Sequence, residues 1–123
     1  MSRSAITRHT FVANGPLADP APTAIDAANG MRVAAGNELD KIVLRVRNTT
    51  AGARAATIRA GTDHPAFRRG LGDRVGSSLA QNTSEWIGPF ECARFRQPNG
   101  EIWIDFASGM TGEVTAFIIP RTV

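Results

Sequence analysis

Apolar side chains recur at every second residue in several short stretches of this chain, and no other feature restricts its fold so strongly. In 41–47, Ile42, Leu44 and Val46 fall on one face, while Lys41, Arg45 and Arg47 fall on the other. Residues 55–60 place Ala56, Ile58 and Ala60 opposite Thr57 and Arg59. In 92–97, Ala93 and Phe95 alternate with Arg94 and Arg96, and in 101–106, Ile102, Ile104 and Phe106 alternate with Glu101, Trp103 and Asp105. A helix would spread these residues around its circumference, whereas a strand sends alternate side chains to opposite faces. The spacing therefore predicts half-buried strands.

The connections agree. Pro98-Asn99-Gly100 separates two alternating runs, and Asn-Gly favours a hairpin because both residues tolerate positive φ. Thr49–Ala53, around Gly52, joins 41–48 to 54–60, and 107–112 joins 101–106 to 113–119. Strands recurring at this interval without long amphipathic helices predict an all-β fold, an antiparallel β-sandwich or β-barrel-like domain over 31–123.

Residues 1–30 read as an extended N-terminal arm: Gly15, Pro16, Pro20, Pro22 and many alanines leave few bulky apolar groups to bury. Such an arm is expected to be removable without loss of cooperative melting. Within it, Thr23-Ala24-Ile25-Asp26 resembles a capping box and Asn29-Gly30 a helix stop, compatible with one helical turn or a plain turn. Residues 62–80, charged and punctuated by glycine, form one long internal loop of the kind that carries function or is disordered. The last strand, 113–119, is apolar on both faces, and Val43 and Trp103 also lie off their core faces. That second apolar stripe needs a cover: the arm, the other sheet or a neighbouring subunit.

Charge and chemistry narrow the function. The formal net charge is +3, and Lys41 is the single lysine among 14 cationic residues. The arginines are scattered with acids between them rather than gathered in a stripe, so we expect no direct nucleic-acid binding. No apolar run approaches the ~20 residues of a membrane span, and Met1–Ile6 lacks a secretory signal, so we expect a chain made in the cytoplasm, with no membrane partner. Cys92 alone can form neither an intrachain disulfide nor a cysteine cage for zinc. His9 and His64 lack companions at metal-ligand spacing, and Asp63-His64 reads as a solvated loop pair. The 70–76 run Gly-Leu-Gly-Asp-Arg-Val-Gly spaces its third glycine one residue too far for a dinucleotide loop. The expectation is a chain without catalysis, cofactor or metal.

Most of the chain from about Thr10 onward resembles a group of tailed-phage head proteins, the small β-rich decoration or cement proteins. The likeness rests on features in order. An Ala/Pro-rich arm ends in Asp26-Ala27-Ala28-Asn29-Gly30. Val43-Leu44-Arg45-Val46-Arg47-Asn48-Thr49, Ala56-Thr57-Ile58 and the corner Ile87-Gly88-Pro89-Phe90 follow. Then come Arg94-Phe95-Arg96-Gln97, Ile102-Trp103-Ile104-Asp105-Phe106 and the closing strand from Val114 to Arg121. The 62–80 loop departs from the shortest members.

The resemblance implies a structural virion protein on the outer surface of the capsid, bound to the major capsid protein and self-associating, with a trimer favoured. Many weak contacts repeated over a lattice would stabilise the head. Expected capsid contacts are Arg3, Arg8 and Phe11 in the arm, and Phe67, Arg68, Arg69 and Arg74 in the loop, since aromatics beside arginine are enriched at interfaces. A head–tail connector or tail component is the alternative. A carbohydrate-binding sandwich is a third reading, disfavoured because tyrosine is absent and only Trp86 and Trp103 offer platforms.

Overall fold

A computed structural model of the chain describes residues 3–35, 38–62 and 68–120. The strands are β1 (Ser4–Ala5), β2 (Arg8–Thr10), β3 (Thr23–Ala24), β4 (Met31–Ala34), β5 (Ile42–Asn48), β6 (Ala56–Ile58), β7 (Arg74–Val75), β8 (Thr83–Ile87), β9 (Glu101–Phe106) and β10 (Gly112–Ile118). One helical turn, α1 (Cys92–Phe95), stands between β8 and β9. Three-residue 3-10 turns occupy Leu39–Lys41, Arg69–Leu71 and Pro98–Gly100.

The strands form two sheets. The first, sheet A, runs β1-β4-β9-β6-β7; the second, sheet B, runs β2-β10-β5-β8, with β3 also paired to β10. Both sheets are mixed rather than purely antiparallel, which corrects the sequence expectation. The parallel pairs are β1 with β4 and β2 with β10. Each adds an arm strand at a sheet edge with no hairpin to reverse it, while β3 of the same arm pairs antiparallel with β10. Nor is there a closed barrel, since each sheet keeps its own two edges.

The alternation produces the core directly. Ile42, Leu44 and Val46 on β5 and Val114, Ala116 and Ile118 on β10 share one cluster with Met31, Val33, Ala56, Ile58, Ile102 and Ile104 of sheet A. Each such Ile or Leu removed from water contributes about 1.5–3 kcal/mol. Two buried amides tie irregular segments to this core. Asn48 donates to the carbonyls of Gly52 (3.1 Å) and Leu79 (2.7 Å) and accepts from the Thr50 N–H (2.9 Å). Gln97 donates to the Ala60 carbonyl at 2.7 Å and accepts from the Thr62 hydroxyl at 3.0 Å. Gly112 opens β10 at φ +144°, where a Cβ would run into the Arg47 carbonyl.

The arm is part of both sheets. Between β1 and β2 the chain crosses from one sheet to the other, and Ile6 at this crossing is buried in the shared core. Arg3 reaches from the arm to Asp105 (2.7 Å) and the Ile104 carbonyl (3.2 Å), with its guanidinium 4.8 Å from the centre of the Trp103 ring. That cation–π contact covers the outward-facing Trp103. Ser4 donates to Asp26, which also accepts from the side chain and backbone N–H of Asn29. The Ser4 hydroxyl first, then Asn29, hold the Asp26 carboxyl below its usual value of 3.8. A depressed folded-state pKa stabilises the fold above the unfolded value and is lost as pH falls through the folded one. Acidification below 3.8 should therefore loosen the Ser4 and Asn29 contacts first. Faster amide exchange at Asn29 than at the β5 core strand would report it, and the Asp26→Asn variant should show a flatter pH response.

Two local expectations change. Residues 92–97 are not a strand: α1 winds Cys92–Phe95 into one turn. The Gly88-Pro89 corner ends β8, and Phe90 and Phe95 then meet edge to face at 5.8 Å, both buried. Over four residues Phe95 points inward under either periodicity, so alternation could not discriminate. The Thr23-Ala24-Ile25-Asp26 run is no helix cap: Thr23–Ala24 is β3, and of the two readings left open the plain turn holds, closed by the Gly30 N–H on the Asp26 carbonyl at 3.0 Å. The Asn99-Gly100 turn does use positive φ at both residues, 65° and 69°. It joins β9 to a single bridge at Gln97 rather than to a full strand.

Candidate functional site: two contrasting outer faces and an open side

Because the arm links the β1 and β2 edges, the opposite side of the molecule is flanked by β7 of sheet A and β8 of sheet B. A cleft of about 430 Å³ lies there, lined by Arg74, Gly76 and Ser77 on one side and Glu85, Trp86 and Ile87 on the other. The Gly88–Phe90 corner and α1 close its end. Around it, Trp86, Val75 and Leu71 are 59%, 60% and 56% exposed. Edge strands are normally blunted by charge, bulges or a covering loop. Here the Ser77 N–H is tied to Glu85 at 3.1 Å, while three large apolar side chains face water.

The outer face of sheet A is charge-paired. Arg32 meets Glu101 at 2.9 Å, Arg3 meets Asp105 at 2.7 Å, and Arg59 lies 3.4 Å from both Asp73 and Asp105. Trp103 donates its indole N–H to Glu101 at 3.0 Å. This face satisfies itself.

The outer face of sheet B is aromatic. Phe117 stacks on Phe11 at 5.1 Å between centroids, tilts against Trp86 at 5.4 Å and lies 6.4 Å from His9. Phe117 is buried, yet outside the core cluster, so these rings are its cover. Phe117 of the last strand's second apolar stripe is thus covered from within the chain, by the arm and by β8, whereas Ile119 on the same side stays exposed. A groove of about 300 Å³ runs beside the rings, between Asp19, Pro20 and Pro22 of the arm and Arg45 and Trp86 of the sheet.

The sequence-based contact residues separate on this framework. Arg3 is engaged in the fold. Arg8 is exposed on the edge strand β2, and Phe11 is half-exposed against Phe117. Arg68 is exposed and pairs with Glu91 at 3.2 Å, and Arg74 is exposed on β7. Arg69 is described through its backbone only, in the 3-10 turn, and Asp63, His64 and Phe67 lie outside the described residues. The structure thus places Arg8 and Phe11 along the β2 edge, Arg8 in register with core-facing Ala116 and Phe11 against outward-facing Phe117, and sets Arg74 on the open side, so the two groups are not united. Leu71 and Val75 were not singled out from the sequence, and Trp86 only as a possible platform for a sugar. Trp86, immediately before a strand-ending Ile-Gly-Pro corner, was the one legible signal.

Among the described residues no group of three or more His, Cys, Asp and Glu side chains is placed to hold a metal. Likewise, no helix among them is long and apolar enough to cross a membrane. Cys92 is half-buried and packs against the core from α1. Comparison with known families, curated proteins and solved structures found no match for this chain.

Proposed function

We propose that this chain is a non-catalytic β-sandwich that docks on other protein surfaces, in the role of a virion protein that decorates and stabilises a phage capsid lattice. The capsid partner comes from the resemblance in sequence pattern. The docking role is carried by one observation: the open side between β7 and β8, where Leu71, Val75 and Trp86 stand exposed beside Arg74. Among the described residues no carboxylate pairs with Arg74. An exposed strand edge flanked by apolar anchors and a free guanidinium suits an extended segment carrying apolar and acidic side chains.

Purified protein should co-sediment with expanded, undecorated heads. The double variant Leu71→Glu, Val75→Glu should lose at least about tenfold in that binding, as expected for two interface anchors, while melting as the parent does. Wild-type protein that ignores such heads would remove the capsid role. A double variant that decorates heads at full strength would move the contact away from the open side.

A further inference from the structure

The two outer faces treat their charges differently. On sheet A, Arg3, Arg32 and Arg59 each have a carboxylate within 3.4 Å. On sheet B, Arg45 and Arg47 of β5 alternate outward with Glu113 and Thr115 of β10, and Asp19 overhangs the same groove. Arg47 and Glu113 are direct cross-strand partners in register. Even so, among the described residues none of Arg45, Arg47, Glu113 and Asp19 makes an ion pair. The face therefore carries two free charges of each sign. Beside them, Phe11, Val12 and Ile119 are 37%, 55% and 43% exposed, and Trp86 borders the same rings.

A uniformly acidic or uniformly basic partner would meet like charge on this face, a repulsion that interfaces avoid. A surface that carries its own complement suits a two-fold contact, in which residue i meets residue j of the second copy and the reverse. We propose that the outer face of sheet B pairs with the same face of a second copy of this chain. Arg45 and Arg47 then oppose the carboxylates Glu113 and Asp19 of the second copy, and the aromatic strip lies at the centre. This goes beyond the capsid reading and does not depend on it. It also departs from the trimer implied by the family likeness, which needs a head-to-tail contact between different patches.

The test is a charge exchange read by sedimentation equilibrium. Wild-type protein should be a dimer. Arg45→Glu and Glu113→Arg should each weaken association at least about tenfold through like-charge contacts. An equimolar mixture of the two should recover the dimer as a heterodimer, because both contacts become opposite in sign again. Ile119→Asp, at an exposed position on the same face, should also dissociate it. Circular dichroism checks that each variant is folded. A monomeric or trimeric wild type, or folded variants whose mixture stays monomeric, overturns the proposal. Arg45→Glu should still bind heads and the Leu71→Glu, Val75→Glu variant should still dimerise, so failure of either reading is distinguishable from failure of the other.

Discussion

Deleting residues 1–22 is expected to cost on the order of 5 kcal/mol, enough to leave a domain of this size barely folded. The truncation strips Ile6 from the shared core, removes β1 from β4 and β2 from β10, and takes away the Phe11 ring that covers Phe117. Ile6→Ala alone should cost about 2–4 kcal/mol, the range for a large aliphatic side chain truncated in a closed core. Urea unfolding followed by tryptophan fluorescence measures both. A truncated protein that keeps the parental midpoint would show that the arm is an appendage, as composition alone suggested. Composition misled because it counts apolar residues without saying where they go. The arm has few, but Ile6 sits where the chain crosses between the sheets, and one residue there joins both.

Asn48→Ala should lower stability by about 3 kcal/mol or more, despite removing only a small polar side chain. The Asn48 amide satisfies the carbonyls of Gly52 and Leu79 and the N–H of Thr50, and the residue is fully buried. Truncation removes three hydrogen bonds, each contributing about 1 kcal/mol, although the Leu79 carbonyl keeps the Arg54 N–H at 3.0 Å and the Gly52 carbonyl belongs to an exposed residue. The loss should be local in its first stage. Amides in the 49–54 turn and at Leu79–Asn82 should exchange faster before β9 or β4 does, because Asn48 reinforces the Arg54–Leu79 bridge that joins those segments. A variant within about 1 kcal/mol of wild type would mean that water replaces the amide at no cost.

How much of this could be read in advance differs by element. Strands β5 and β9 were legible almost to the residue, because each carries alternation long enough to exclude a helix, while β10 was placed by the 107–112 connection and its apolar run. The 92–97 segment was not, since four residues with one large inward side chain satisfy either period. The contact residues were chosen for type, arginine and phenylalanine in irregular segments, and type does not report engagement. Arg3 has the composition of a free contact residue but is clasped between Asp105 and Trp103. Trp86 lies in a stretch with no alternation to mark its outward side, yet stands exposed where two grooves meet.

The residue pattern alone determined that the chain makes strands, which faces of the alternating ones turn inward, and that the last strand is apolar on both sides. These follow from the two-residue repeat of an extended backbone and the transfer of apolar groups out of water, both local in sequence. Tertiary structure alone decided that β1 and β2 of the arm join the two sheets in parallel, that the outer face of sheet A neutralises its charges, and that the outer face of sheet B does not. Those outcomes depend on pairs far apart in the chain, such as Arg3 with Asp105 and Phe11 with Phe117. No periodicity encodes such distances; they are set only when the sheets pack.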